Sequence, residues 1–198
     1  SIGLQSSVNS NKPTTDLARL GYTLKLPKEY ADFTYYGRGP IDNFNDRKVG
    51  QNIEIFRQKV GDEIIHCRPQ SMGNHEEVRW AALTDAKGQG AAFIADGIMS
   101  ASALPWSEMG ITESAHPYQL PVSDGVYLHL DAKVTGLGGN SCGQGAPLVH
   151  DRAKATIRNF GFIIRLLAST AALEKTVKVA ASGETPIIVN RDKEGMIT

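Results

Sequence analysis

Apolar and polar residues alternate along most of this chain with a period of two. Asn52-Ile-Glu-Ile-Phe56 alternates strictly, and Glu77-Val-Arg-Trp-Ala-Ala-Leu83 puts Val78, Trp80 and Ala82 on one face. Gly90-Ala-Ala-Phe-Ile-Ala-Asp96 is a short apolar run between turn residues. Val126, Leu128 and Leu130 alternate with Tyr127 and His129. Phe160, Phe162, Ile164 and Leu166 share a face opposite Gly161 and Arg165. Period two with turn residues between the runs predicts half-buried antiparallel strands. Helical signal is thin. Ser107 to Ala115 and Ser169 to Lys175 each allow a turn or two, too little to cover a sheet, so sheets must cover each other. The expectation is an all-β fold.

The polar stretch Ser1 to Asp16 reads as a linker or edge segment, and residues 17–167 as the strand-rich domain. From Ala168 the texture becomes small and charged. Thr185-Pro-Ile-Ile-Val189 then resembles the first strand of another unit, so residues 168–198 read as a linker and the start of a following β module. No run approaches the roughly 20 apolar residues that span a bilayer. Ser1 to Asn11 has neither the basic start nor the apolar run of a signal peptide. A membrane partner is therefore not expected.

Composition narrows the function classes. The 198 residues hold 21 Lys and Arg against 21 Asp and Glu. That balance speaks against a dedicated nucleic-acid binder and suits a neutral partner. Two cysteines, Cys67 and Cys142, cannot make a disulfide framework. The five histidines, His66, His75, His116, His129 and His150, show no metal-ligand spacing. Neither a metal nor a cofactor is expected in this chain.

Two loops draw attention. Asp42-Asn-Phe-Asn-Asp46-Arg47 holds two carboxylates four residues apart. A glycosidase needs such a pair across a sugar, but Asp and Asn here also fit a turn that bonds its own backbone. Gly136-Leu-Gly-Gly-Asn140-Ser-Cys-Gly143 is glycine-rich without the Lys-Ser/Thr ending of a phosphate loop. It is either a plain connection or a place where backbone comes close to a ligand. His129, on a strand face, reads as packing or capping. Trp80 reads as core. Trp106 reads as a packing anchor or a sugar platform.

Several motifs follow in fixed order: Tyr36-Gly-Arg-Gly-Pro40, Asn43-Phe-Asn-Asp-Arg47, Arg68-Pro-Gln-Ser-Met-Gly-Asn74, Val78-Arg-Trp80, His116-Pro-Tyr-Gln-Leu120 and Gly136-Leu-Gly-Gly-Asn140. From about Leu17 to Leu167 the chain resembles the C-terminal "small chain" domain of β-galactosidases of glycoside hydrolase family 2. The resemblance implies a β-supersandwich, two large antiparallel sheets face to face, similar to galactose mutarotases. It implies a non-catalytic domain. The catalytic glutamates of such enzymes sit on a separate barrel domain of the same polypeptide, which this domain packs against and supplies with a sugar-binding loop. The substrate-facing residues so implied are Gly138, Gly139, Asn140, Ser141, Cys142 and His116. Many members carry a Trp after the paired glycines that stacks on the aglycone side of the sugar. This chain has Cys142 in that region and is one residue shorter, which loosens any tie to lactose. Arg38, Asp46, Arg47 and Arg68 belong to the matching motifs and read as structural.

The alternatives are a stand-alone carbohydrate-binding or assembly module, and a mutarotase-like epimerase. The second would need His129 or His116 paired with Glu76, Glu77 or Glu113 as acid and base. A trailing module points toward a periplasmic or extracellular, glycan-degrading protein. A homo-oligomer is left open.

Overall fold

Strand β7, Gly90–Leu104, is the axis of the molecule. The computed structural model describes residues 1–62, 66, 70–138, 145–156 and 159–181. In chain order the strands are β1 Ile2–Ser6, β2 Asp16–Leu17, β3 Arg19–Leu26, β4 Asp32–Gly39, β5 Asn52–Lys59, β6 His75–Thr84, β7, β8 Val126–Val134, β9 Ala153–Lys154 and β10 Phe160–Leu167. Helix α1, Glu108–Glu113, follows β7, and helix α2, Thr170–Ala181, follows β10.

The fold is all-β, as the alternation predicts. Eight strands make one antiparallel sheet, and β2 with β9 makes a two-stranded one. One edge of β7 pairs with β6 along most of its length. The other edge is shared: β10 pairs with residues 90–95 and β8 with residues 100–104. Between these halves both β7 and β6 are irregular. Gly97 takes φ +95° and Glu77 takes φ +55°. The pairing jumps from Trp80↔Ile94 to Val78↔Met99, so Arg79 alone spans residues 95–98. Extra residues on one strand bend it and strengthen its twist, and a glycine accepts the positive φ without a Cβ clash. The sheet therefore divides into two arms, β10 with β1 and β8 with β3.

The arms pack on each other. Tyr22 of β3 meets Phe160 and Phe162 of β10 at ring-centroid distances of 6.2 and 5.6 Å, although β3 and β10 share no ladder. Tyr22 also bonds the Ser6 hydroxyl on β1. Phe33, Tyr35, Val78, Leu83, Phe93, Leu128 and Leu130 fill the space between. The facing layers expected of two separate sheets are thus supplied, among the described strands, by one sheet turned over on itself.

Two face assignments change. Val78 packs in the core between the arms, whereas Trp80 and Ala82 pack on the opposite face. The register shift between Val78 and Trp80 reverses the alternation there. Leu166 is 80% exposed, and Ile163 and Leu167 pack beside Trp80 instead. That second face is covered by α2, whose Leu173 is buried against it. A helix long enough to lie on the sheet therefore exists where only a turn or two was expected. Its Ala, Leu, Glu and Lys residues are good helix formers, but alanines give little hydrophobic contrast from which to read a period.

The polar segment of residues 1–16 contributes β1, an edge strand paired with β10 from Ile2↔Ile164 to Ser6↔Phe160. The expected strand at residues 185–189 lies outside the described residues, as does Cys67. No helix among the described residues is long and apolar enough to cross a membrane.

Candidate functional site

The glycine loop springs from the end of β8, and its first residues are tied down by a turn far away in sequence. That turn is the tip of the loop over residues 40–47. Asn43 is fully buried and anchors its base. The Asn43 N–H donates to Asn74 O at 2.6 Å, its side-chain amide donates to Arg38 O and Ile41 O at 3.0 Å each, and its Oδ1 accepts from Glu76 N at 2.8 Å. Asn74 returns a bond from Nδ2 to Asn43 O at 2.8 Å. Every polar group of a buried loop residue needs such a partner. Phe44 and Arg47 then bridge each other through backbone bonds of 3.3 and 2.8 Å, leaving Asn45 and Asp46 at the tip.

Asn45 and Asp46 reach the two limbs of the glycine loop. Asp46 Oδ1 accepts from Leu137 N at 3.1 Å, and Oδ2 from Gly138 N at 2.8 Å. Asn45 Nδ2 donates to Asp151 Oδ1 at 3.2 Å on the returning limb. Gly136 N donates to Asp151 O at 2.9 Å and joins the limbs. Gly138 has φ +112°. Of the expected sugar-facing residues, Gly138 stands at this root. Gly139, Asn140, Ser141 and Cys142 lie outside the described residues. Leu137, Leu148 and Val149 are exposed around the root.

His116 lies on the surface, before a 3-10 turn over Pro117–Gln119. Its N–H donates to Gln119 Oε1 at 3.0 Å, and its ring stacks on Tyr118 with centroids 5.3 Å apart. Tyr118 is 81% exposed. Trp106 is a packing anchor: its Nε1 donates to Pro121 O at 3.0 Å, and the ring packs beside Met72, Leu104 and Ile111.

The two carboxylates of the 40–47 loop act separately. Asp42 accepts from Arg47 at 2.8 Å and from Gly73 N at 3.2 Å, while Asp46 holds the glycine loop. Neither bonds the backbone of its own turn; that part is taken by Asn43, whose amide donates to Arg38 O and Ile41 O. Arg38, expected to be structural, pairs with Glu77 at 2.9 Å and donates to Gln51 O at 2.9 Å. The Arg38 bond holds the Glu77 carboxyl below its usual range, with help from Lys48.

A buried polar layer lies behind β7 and β8, on the face away from the core. Arg19 clasps Asp131 with Nε at 3.3 Å and a terminal nitrogen at 2.7 Å, and its other terminal nitrogen pairs with Glu108 at the start of α1. Burial pushes the Asp131 carboxyl up, with Arg19 opposing. Glu76 accepts from Asn74 at 2.9 Å and Ser100 at 2.8 Å, and burial pushes it up as well. His129 Nδ1 shares a 2.9 Å bond with Thr23. Its Nε2 is buried 3.8 Å from Glu108 Oε1 without a hydrogen-bond partner among the described residues. Burial, and secondarily Arg19, brings the His129 pKa down to about 3, so the ring is neutral at ordinary pH. The bonds described for Glu76 and Glu77 run to Asn74, Ser100, Arg38 and Lys48 rather than to His129 or His116. Glu113 is exposed on α1. Sequence reasoning missed Arg19 and Asp131. His129 and Asp131 alternate with Leu128 and Leu130, a signal that a second buried face exists. Among the described residues no group of His, Cys, Asp and Glu is placed to hold a metal ion.

Comparison with known proteins converges on one family. The β-galactosidase small chain family matches residues 2–166. A β-galactosidase of Priestia megaterium is 31% identical over 144 residues, covering 71% of this chain and 14% of that protein. One from Lactobacillus delbrueckii subsp. bulgaricus is 37% identical over 129 residues, covering 65% and 13%. One from Kluyveromyces lactis is 29% identical over 147 residues, covering 74% and 14%. The chain thus spans about a seventh of the length of the curated relatives it matches. With the match running over residues 2–166, nearly the whole of it, the chain belongs to the β-galactosidase small chain family.

Proposed function

We propose that this chain is a non-catalytic part of a β-galactosidase-type glycoside hydrolase of family 2. It packs, as the supersandwich domain, on a catalytic barrel of the same polypeptide and lends that barrel its glycine loop as one wall of the sugar site. The observation that carries this reading is the double tie at the loop root, with Asn45 on one limb and Asp46 on the other. A plain connection between strands has no need of such anchoring. A loop that meets a ligand gains from being held in advance, because the ordering is complete before binding. The partner is a galactoside or related neutral glycan, recognised through the hydroxyl-bonding groups of Asn140 and Ser141, with Cys142 where a stacking ring would otherwise be.

Two results test it. The isolated 198-residue chain is expected to hydrolyse a nitrophenyl galactoside no faster than background. Turnover that survives repurification overturns the non-catalytic reading. In the complete protein, Cys142→Trp is expected to change the preference among aglycones more than the recognition of galactose, because an indole adds a broad apolar face for stacking. An unchanged aglycone profile means that the loop is remote from the sugar.

A further inference from the structure

Three features meet at one contact. The first is the bridge between Phe44 and Arg47, which presents Asp46 at a turn tip. The second is the use of both Asp46 carboxylate oxygens, one for Leu137 N and one for Gly138 N. Bonds from successive backbone N–H groups to one carboxylate are charge-assisted and fix the two peptide planes together. The third is the absence of a side chain at Gly136. A Cβ there would stand 2.4 Å from the Asp46 carboxyl, so any larger residue at 136 would push the carboxylate out of its present place. Gly138, at φ +112°, gives the second peptide the orientation that the carboxylate takes. The tie is specific to the loop's outgoing limb, at the residue just before its undescribed part.

We propose that Asp46 is a positioning residue for the sugar site: by fixing the peptides of Leu137 and Gly138 it sets the course of the glycine loop, and so the affinity for the glycan. This rests on the reading that the loop meets the sugar. Asp46 touches no reacting atom and acts through the loop alone. Its loss releases the loop to other conformations, so binding weakens while the catalytic groups on the other domain stay in place. That pattern appears in KM rather than kcat.

The test uses the complete protein that carries this domain, with two galactosides of different aglycone. KM, kcat and the thermal midpoint are measured for each variant. Asp46→Asn keeps the shape but presents an amide where two N–H groups need acceptors. It is expected to raise KM roughly tenfold with kcat little changed, the pattern of an interaction lost equally from ground and transition states. Gly136→Ala attacks the same contact from the loop side and is expected to raise KM likewise. The effects of Gly136→Ala and Asp46→Ala are expected not to add when combined. Asp42→Asn is the control. It lies in the same loop and bonds Arg47 and Gly73, and it is expected to lower the thermal midpoint without moving KM.

An unchanged KM in folded Asp46→Asn and Gly136→Ala overturns the inference, as does an equal rise of KM in Asp42→Asn. If Cys142→Trp shifts aglycone preference while Asp46→Asn and Gly136→Ala leave KM alone, the positioning role fails and the proposed function stands. If none of the three moves the kinetics, both fall.

Discussion

Replacing Trp80 with alanine is expected to cost about 3–5 kcal/mol of folding stability, the range for removing a buried large aromatic ring. Trp80 is 1% exposed and sits on the sheet face covered by α2, among Ala82, Ala92, Ile94, Ile163, Leu167 and Leu173. Two of these neighbours are alanines on β6 and β7, with no side chain long enough to move into the space. The cavity therefore stays open, and its cost adds to the lost burial. Leu173 loses its main seat at the same time, so α2 is expected to loosen. Domain stabilities run to about 5–15 kcal/mol, and a loss of this size removes a large share. Urea denaturation of the 198-residue chain measures it. Leu166→Ala is the comparison: that leucine is 80% exposed, and its truncation is expected to stay within about 0.5 kcal/mol. A loss under about 1 kcal/mol for Trp80→Ala would place the ring outside the core.

Arg19→Ala is expected to cost roughly 3 kcal/mol at pH 7, the lower end for breaking a buried pair from one side. Arg19 is partly exposed, but the Asp131 side chain it clasps is only 2% exposed. Removing the guanidinium leaves Asp131 buried near Glu108 and Glu76, both of which push its carboxyl further up. The sign of the pH dependence follows. A carboxyl raised in the folded state holds its proton there when the unfolded chain has already released it. Stability then falls as pH rises from the ordinary value of 3.8 through the raised folded value. The Arg19→Ala defect is therefore expected to be largest at neutral pH and to shrink toward pH 4, where folded Asp131 holds its proton and the unfolded chain is regaining it. Adding Asp131→Asn to Arg19→Ala is expected to recover much of the loss at pH 7, since no buried charge is left. Denaturation curves at several pH values measure both. A defect that is equally large at pH 4 and pH 7 would assign the loss to the packing of the Arg19 stem instead.

Much of the sheet was legible in the chain, and the reasons for the gaps are physical. The runs around Asn52, Val78, Phe93, Leu128 and Phe162 all lie in strands, marked in the chain by apolar–polar alternation or, at Phe93, by a short apolar run between turn residues. Strand β4 escaped. Its Phe33, Thr34 and Tyr35 are all buried, so its apolar residues do not alternate. The second half of β7 escaped because Ser100, Ala101, Ser102 and Ala103 differ too little in size and polarity. The reversal at Val78 depends on which β7 residues face β6, which β6 alone does not contain. In the candidate site, the glycines marked the loop whose root Asp46 ties down. Asp46 looked like an ordinary turn residue, and its bond to a loop some ninety positions later is visible only in the folded chain.

The pairing of β1 with β10 has a consequence for how the protein is made. Ile2 lies opposite Ile164. Of the described strands of this sheet, the first in chain order thus waits for the last before its backbone groups find partners. At bacterial and eukaryotic elongation rates of about 5–20 residues per second, that wait lasts roughly 8–32 seconds. The nascent β1 must stay solvated throughout. Its short length, with Gly3 and Gln5 between Ile2, Leu4 and Ser6, suits a strand that has to remain unpaired among neighbouring nascent chains until its partner is synthesised.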